Sequence, residues 1–224
     1  MIGKLSLVAT PIGNLEDITL RALRTFKECD VILCEDTRVT GKLLAHYDIT
    51  KSMRRYDAHT SEEAHERIVA ELKDGAHMVL VSDAGTPGIS DPGVLLINKV
   101  REAGIAIEII PGPSAVTAAF SLAGISGNQF AFLGFVPQKK GRETFFKSLS
   151  DYRLPTIFFE STHRIIKTLN SLAELHPEAK IYIGRELTKL HEEMLVGTPA
   201  ELLETLENET VKQKGEFVVI MRNK

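Results

Sequence analysis

The sequence predicts an α/β protein made of two α/β domains with mostly parallel or mixed sheets. Three observations carry this. Short apolar runs alternate with segments of helical period along the whole chain, the pattern of strand–helix–strand crossovers. Most of these runs stop at Gly, Pro or polar residues, as buried parallel strands do. Near the middle, Pro111-Gly112-Pro113-Ser114 breaks the alternation; its two prolines fix backbone angles, which makes a stiff joint rather than a floppy linker. The expected division is residues 1–112 and 113–224, each about the usual domain size.

The first half reads as follows. A strand over 4–9 breaks at Thr10-Pro11-Ile12-Gly13-Asn14, and Ile18, Leu20, Leu23 and Phe26 then recur at near-helical spacing. A second strand covers 31–34 and leads into Glu35-Asp36-Thr37-Arg38, where Thr37 or Thr40 is placed to cap a helix toward Tyr47. A short strand at 53–56 precedes Thr60-Ser61-Glu62-Glu63. That segment has the form of a capping box for a helix to Lys73, with Ile68 and Leu72 on its buried face and Gly75 ending it. The run Met78 to Val81 is a fully buried strand, followed by Ser82, Asp83 and a Gly/Pro-shaped loop. Asp91 and Pro92 then suit the N-cap and first position of a helix, and Gly104 suits its C′ residue. A strand at 106–110 and a helix at 115–123, ended by Gly124, lead into the second half.

There the alternation restarts. Strands are expected at 130–135, 156–159, 181–184, 194–196 and 217–221, and helices at 142–149, 165–175 and from Thr198-Pro199 through Leu206. The strand at 156–159 runs into Glu160-Ser161-Thr162-His163-Arg164, and that at 181–184 into Arg185-Glu186-Leu187-Thr188.

Composition bounds the function classes. Apolar and charged fractions are those of a globular protein, and no run approaches the roughly 20 apolar residues of a membrane span. The N-terminus has no basic region before its apolar patch and reads as a first strand, not a signal peptide. The two cysteines, Cys29 and Cys34, form neither a disulfide framework nor a paired zinc motif, so a reducing cytoplasm is the expected location. The net charge of −3 gives no global attraction to nucleic acid. Basic groups are local, at Lys51, Arg54 and Arg55 and at Lys139, Lys140 and Arg142. Such runs are most often solvated faces, although a basic loop is compatible with phosphate contact.

Ligands of open α/β sheets bind beyond the carboxyl ends of strands. In this chain the post-strand loops hold neither a G-x-G-x-x-G nor a G-x-x-x-x-G-K-[ST] phosphate cradle. A carboxylate at Asp83 repels a triphosphate but tolerates a cationic or hydroxyl-rich ligand. There is no G-x-S-x-G sequence and no H-E-x-x-H or tight His/Cys cluster, so neither a hydrolase elbow nor a metal site is expected. Ser114 is better placed as a helix cap than as a nucleophile. Acid, hydroxyl and Arg recur in EDTR, ESTHR and RELT, where they could serve a ligand or simply pair with one another.

Taken in order, VATPIGNLEDIT, CEDTR, SDAGTPGISDPG, PGPSA, FLGF-P-x-K, FFES-HR and GRELTK closely resemble the ribosomal RNA small-subunit methyltransferase I family of the tetrapyrrole-methylase-like, class III methyltransferases. The resemblance covers essentially the whole chain and rests on the joint presence of the motifs. It implies S-adenosyl-L-methionine held in a cleft between two domains. The implied reaction is methylation of a cytidine ribose 2′-hydroxyl in the decoding region of small-subunit rRNA, as free RNA or assembled subunit, by a cytoplasmic homodimer. It implies cofactor contacts from Pro11, Asp83, Gly85, Thr86, Ser114, Ala115, Phe159 and Gly184, with Ala84 standing where the wider superfamily has the proline of Gly-Asp-Pro. Candidates to take the hydroxyl proton are Glu35, Asp36, Glu160 and His163. Arg38, Lys139, Lys140, Arg142 and Arg164 are candidates for RNA phosphates, the arginines because their forks match phosphate geometry. No metal is needed. Family members often continue in a helical C-terminal extension, whereas this sequence ends at Lys224. A tetrapyrrole or diphthine-type substrate is the alternative within the superfamily. A nucleoside-binding module without catalysis is the alternative outside it, and the crowd of possible bases speaks against that.

Overall fold

The structure is a computed structural model that describes residues 3–90 and 93–222. The chain divides into two compact units, Met1–Ser114 and Ala115–Lys224.

The first unit runs β1 (Lys4–Val8), α1 (Leu20–Glu28), β2 (Val31–Cys34), α2 (Thr37–His46), β3 (Ser52–Arg55), α3 (Glu62–Lys73), β4 (His77–Leu80), α4 (Val94–Glu102) and β5 (Ala106–Ile110). Its sheet has the order β3-β2-β4-β1-β5, and every pairing is parallel. All five carboxyl ends therefore share one edge. Alternate residues of a strand face opposite sides, and both sides are apolar. Val8, Ile32, Cys34 and Val79 pack under Ala22 and Phe26 of α1 and Leu43 and Leu44 of α2. Leu5, Leu33, Met78 and Leu80 pack under Ile68 and Leu72 of α3 and Leu96 and Val100 of α4. This two-sided burial is why β2 and β4 read as near-continuous apolar runs.

The caps differ from expectation in two places. Asp36, not Thr37 or Thr40, caps α2, its carboxylate accepting from the Arg38 N–H; Thr37 already lies inside the helix. Ser61 caps α3 through the Ala64 N–H, and with Ala at the third helical position the reciprocal half of a capping box cannot form. The asparate–proline start expected for α4, Asp91-Pro92, lies outside the described residues.

The second unit runs α5 (Ala115–Ala123), β6 (Ala131–Phe135), α6 (Arg142–Ser148), β7 (Thr156–Ser161), α7 (Ile165–Leu175), β8 (Lys180–Arg185), β9 (Glu193–Gly197), α8 (Pro199–Asn208) and β10 (Glu216–Arg222). Its sheet is mixed, in the order β6-β7-β10-β8-β9. β6 and β7 are parallel, and the remaining pairs are antiparallel. The closing strand thus inserts between β7 and β8. It also lengthens both, since Phe217 pairs with Glu160 on one side and Arg185 on the other. Two residues read as loop from their charge are strand ends. Here the full capping box belongs to α8, between Thr198 and Glu201. Among the described residues, no helix is long and apolar enough to cross a membrane.

Candidate active site

At the carboxyl edge of the first sheet, the loops after β1, β2, β4 and β5 are joined by hydrogen bonds and close packing. Thr10 and Gly85 exchange both backbone hydrogen bonds, at 2.9 and 3.0 Å. The Thr10 hydroxyl donates to the Ser82 carbonyl at 3.1 Å, and the Ser82 hydroxyl reaches the Ala84 and Gly85 carbonyls. Gly85 takes φ +79°, a conformation that L side chains rarely adopt. The Ala9 N–H donates to the Ile110 carbonyl, and a side chain at Gly112 would come within 3.0 Å of the Ala9 Cβ. Glycine there lets the loop after β5 approach without displacing Ala9.

The loop after β2 joins through Asp83, whose Oδ1 accepts from the Asp36 N–H at 3.1 Å. Asp83 is exposed. Asp36 is occupied: besides capping α2 it binds Arg38, with Nη2 to Oδ2 at 2.6 Å. The Arg38 side-chain hydrogen bonds hold its carboxyl down to about 2. Glu35, Pro11, Thr86 and Ser114 are half-buried in the same loops or in the segment after β5. Beneath them Cys34 is wholly buried, and burial raises its thiol pKa. Burial likewise pushes Cys29 up to about 11, so neither thiol is a nucleophile at neutral pH.

In the second unit, the loops after β6, β7 and β8 share one edge of the sheet. Phe159 on β7 is half-buried between Phe132 and Phe135, with ring centroids 5.0 and 5.2 Å away. Gly184 is buried, and the Leu187 side chain fills the space beside it, 3.2 Å from where a Cβ would stand. The need for glycine there is met by packing inside the unit.

Glu160, Arg142 and Arg164 do not sit where a surface reading puts them. The Glu160 side chain has no exposed area, and Arg142 has 8%. Arg142 lies 3.3 Å from Glu160 Oε2 through Nη1 and 2.7 Å from the Thr168 hydroxyl through Nη2, with its guanidinium over the Phe146 ring. Thr168 donates to Glu160 Oε2 at 2.6 Å. Arg164 takes Glu160 Oε1 at 2.8 Å and also donates to the Val136 carbonyl and the Ser161 hydroxyl. A buried charge needs such partners. The cluster makes Glu160 and Arg142 internal residues, contrary to the expectation of a base and a phosphate contact. Lys139, Lys140 and His163 are exposed, in the turns after β6 and β7.

The sequence reading passed over Thr10 and Ser82 individually. The signal available was a hydroxyl residue directly after each of two apolar runs, the place where a buried strand end needs an internal partner.

Residues 4–203 match the tetrapyrrole (corrin/porphyrin) methylase family. A Thermotoga maritima protein named ribosomal RNA small subunit methyltransferase I is 43% identical over 223 residues, covering 100% of this chain and 100% of that relative. Among solved structures, a diphthine synthase superposes with TM-score 0.74 at 15% identity, over 98% of this chain and 90% of its own. Uroporphyrin-III C-methyltransferase from Thermus thermophilus, complexed with S-adenyl homocysteine, superposes with TM-score 0.66 at 19% identity, over 98% of this chain and 97% of its own. At such identities the two structures show a shared fold.

Proposed function

The chain belongs to the ribosomal RNA small-subunit methyltransferase I family of the tetrapyrrole (corrin/porphyrin) methylases, and from that premise we propose that it methylates a cytidine ribose 2′-hydroxyl in the decoding region of small-subunit rRNA. S-adenosyl-L-methionine is the cofactor. The observation that carries the reading is the full-length 43% identity to a relative of that name. In this reading the enzyme is a cytoplasmic homodimer acting on rRNA or on the assembled small subunit.

The residues present fit the cofactor. The carboxyl edge of the first unit bears Glu35, Asp36 and Asp83, and its cation Arg38 is already bound to Asp36. Such an edge suits a cationic nucleoside without phosphate. When bound, the cofactor supplies a methyl group on positively charged sulfur. We assign Pro11, Asp83, Gly85, Thr86, Ser114, Ala115 and Phe159 to its contacts. Gly184 acts by admitting Leu187.

A ribose hydroxyl is a poor nucleophile until its proton leaves. Asp36, held at about 2 by Arg38, is too weak a base, and Glu160 has both oxygens engaged in the interior. Glu35 and His163 are the remaining candidates. Holding the hydroxyl in line with the methyl supplies much of the rate, since well-oriented reactants gain up to about 7–11 kcal/mol. Among the candidates for RNA phosphates, Lys139 and Lys140 are exposed, whereas Arg38 is exposed but committed to Asp36.

The test is methyl transfer from labelled cofactor to small ribosomal subunits lacking the mark. The expected product carries label on one cytidine ribose, which then resists alkaline cleavage at its 3′ phosphate. Label on a base, on protein, or on a tetrapyrrole offered in competition would overturn the reading.

A further inference from the structure

Glu186 and Thr188 stand in the left-handed region, at φ 49° and 65°. For a β-branched residue this is a strained conformation, kept only where its surroundings over-determine it. The surroundings here do so. Glu186 Oε1 accepts from Lys189 Nζ and from the Glu216 N–H, both at 2.9 Å. Lys189 also holds Glu216 Oε2 at 2.9 Å. The Thr188 N–H donates to Glu192 Oε2 at 2.6 Å, and Arg185 Nη1 donates to the His191 carbonyl at 3.2 Å. Gly215 leaves room for Glu186, whose Cγ lies 2.6 Å from where a Cβ would be.

Within this bracing, Thr188 Oγ1 is buried and has no hydrogen-bond partner among the described residues. At the tip of the same turn, Leu190 is 92% exposed. A turn that needed only the left-handed backbone would be met better by glycine. A threonine there retains strain and an unmatched hydroxyl, and a buried polar group without a partner is itself unfavourable. We propose that this turn is a nucleoside-binding element, in which the Thr188 hydroxyl hydrogen-bonds an uncharged polar group of a bound nucleoside.

The charges around the turn select that ligand chemistry. Arg185 is spent on backbone carbonyls and Lys189 on Glu186 and Glu216. Lys212 is spent on Glu193 and Glu209. With those cations committed to neighbouring acids and carbonyls, the turn suits sugar hydroxyls or a base edge better than phosphate. The nucleoside could be the adenosine of the cofactor or the target nucleotide, so the inference rests on the function proposed above.

Thr188→Gly, Thr188→Ala and Thr188→Ser separate the possibilities by calorimetry with S-adenosylhomocysteine, thermal unfolding and steady-state methylation of small subunits. Thr188→Gly should unfold at the same or a higher temperature yet lose function. If the adenosine is the ligand, its Kd for S-adenosylhomocysteine rises at least tenfold. If the target nucleotide is the ligand, that Kd is unchanged and kcat/KM for subunits falls at least tenfold. Thr188→Ser, which keeps the hydroxyl, should stay within threefold of wild type in both. Should Thr188→Gly fail to fold, Thr188→Ala is judged by the same two losses. Full retention of both by the variants lacking the hydroxyl, or an equal loss in Thr188→Ser, overturns the assignment. A wild-type chain that binds S-adenosylhomocysteine but methylates no subunit defeats the RNA reading alone, and the calorimetric comparison then decides Thr188. One that binds no S-adenosylhomocysteine defeats both.

Discussion

Asp36 and Asp83 follow neighbouring strands and differ in what holds them. Asp36 gives its carboxylate to the start of α2 and to Arg38, which holds its carboxyl down from the ordinary 3.8 to about 2. A carboxyl depressed by folding stabilises the folded state above its usual pKa, and that contribution is lost as pH falls from about 4 toward 2. Asp36 therefore holds the loop above about pH 4, gives up that hold in acid, and does not titrate near neutrality. Asp83 is exposed and accepts from one backbone N–H. Its replacement by Ala should weaken S-adenosylhomocysteine binding at least tenfold by calorimetry, with little change in unfolding temperature. Unchanged affinity would remove it from the site. The place of Asp83 just beyond a strand was legible in the sequence because the buried run ends one residue before it, at Ser82. The burial of Glu160 was not, because an acid after a strand looks the same whether it faces solvent or an arginine in the interior.

Arg142, Glu160, Thr168 and Arg164 show what one buried cluster does for elements. Arg142 opens α6, Glu160 lies on β7, and Thr168 lies on α7, so one set of charge-assisted bonds fixes two helices and a strand. Removing one partner of a buried ion pair is costly, on the order of 3–5 kcal/mol, because the other charge is left behind. Arg164 remains on Glu160 Oε1 and should hold the loss in Arg142→Met toward the lower end of that range. Denaturant unfolding of Arg142→Met should show a loss of about 3–4 kcal/mol, with S-adenosylhomocysteine affinity of the folded protein unchanged. The opposite pattern, intact stability with weakened RNA binding, would return Arg142 to the surface role that its neighbours Lys139 and Lys140 suggest. The sequence reading grouped all three because they are close in the chain. The start of α6 separates them, turning Arg142 inward and leaving the two lysines exposed.

At the scale of the whole chain, the strand–helix alternation was readable because two-sided burial makes β2 and all but the first residue of β4 apolar. Strand order was not, since nothing local in β10 says that it lies between β7 and β8; that placement follows from long-range pairing. The charge balance was equally plain and has a consequence for the substrate. With a net charge of −3, the protein has no overall attraction for RNA, so phosphate contact depends on local cations. Lys139 and Lys140 are exposed in the turn before α6. If each meets one phosphate, replacing both by Ala should flatten the plot of log affinity against log salt by roughly 1.4–1.8, the contribution of two contacts. Filter binding of small-subunit rRNA across a salt series would measure this, while calorimetry with S-adenosylhomocysteine should give the wild-type Kd. An unchanged slope would place the RNA on another surface, and a parallel loss of cofactor affinity would mean that the turn supports the fold.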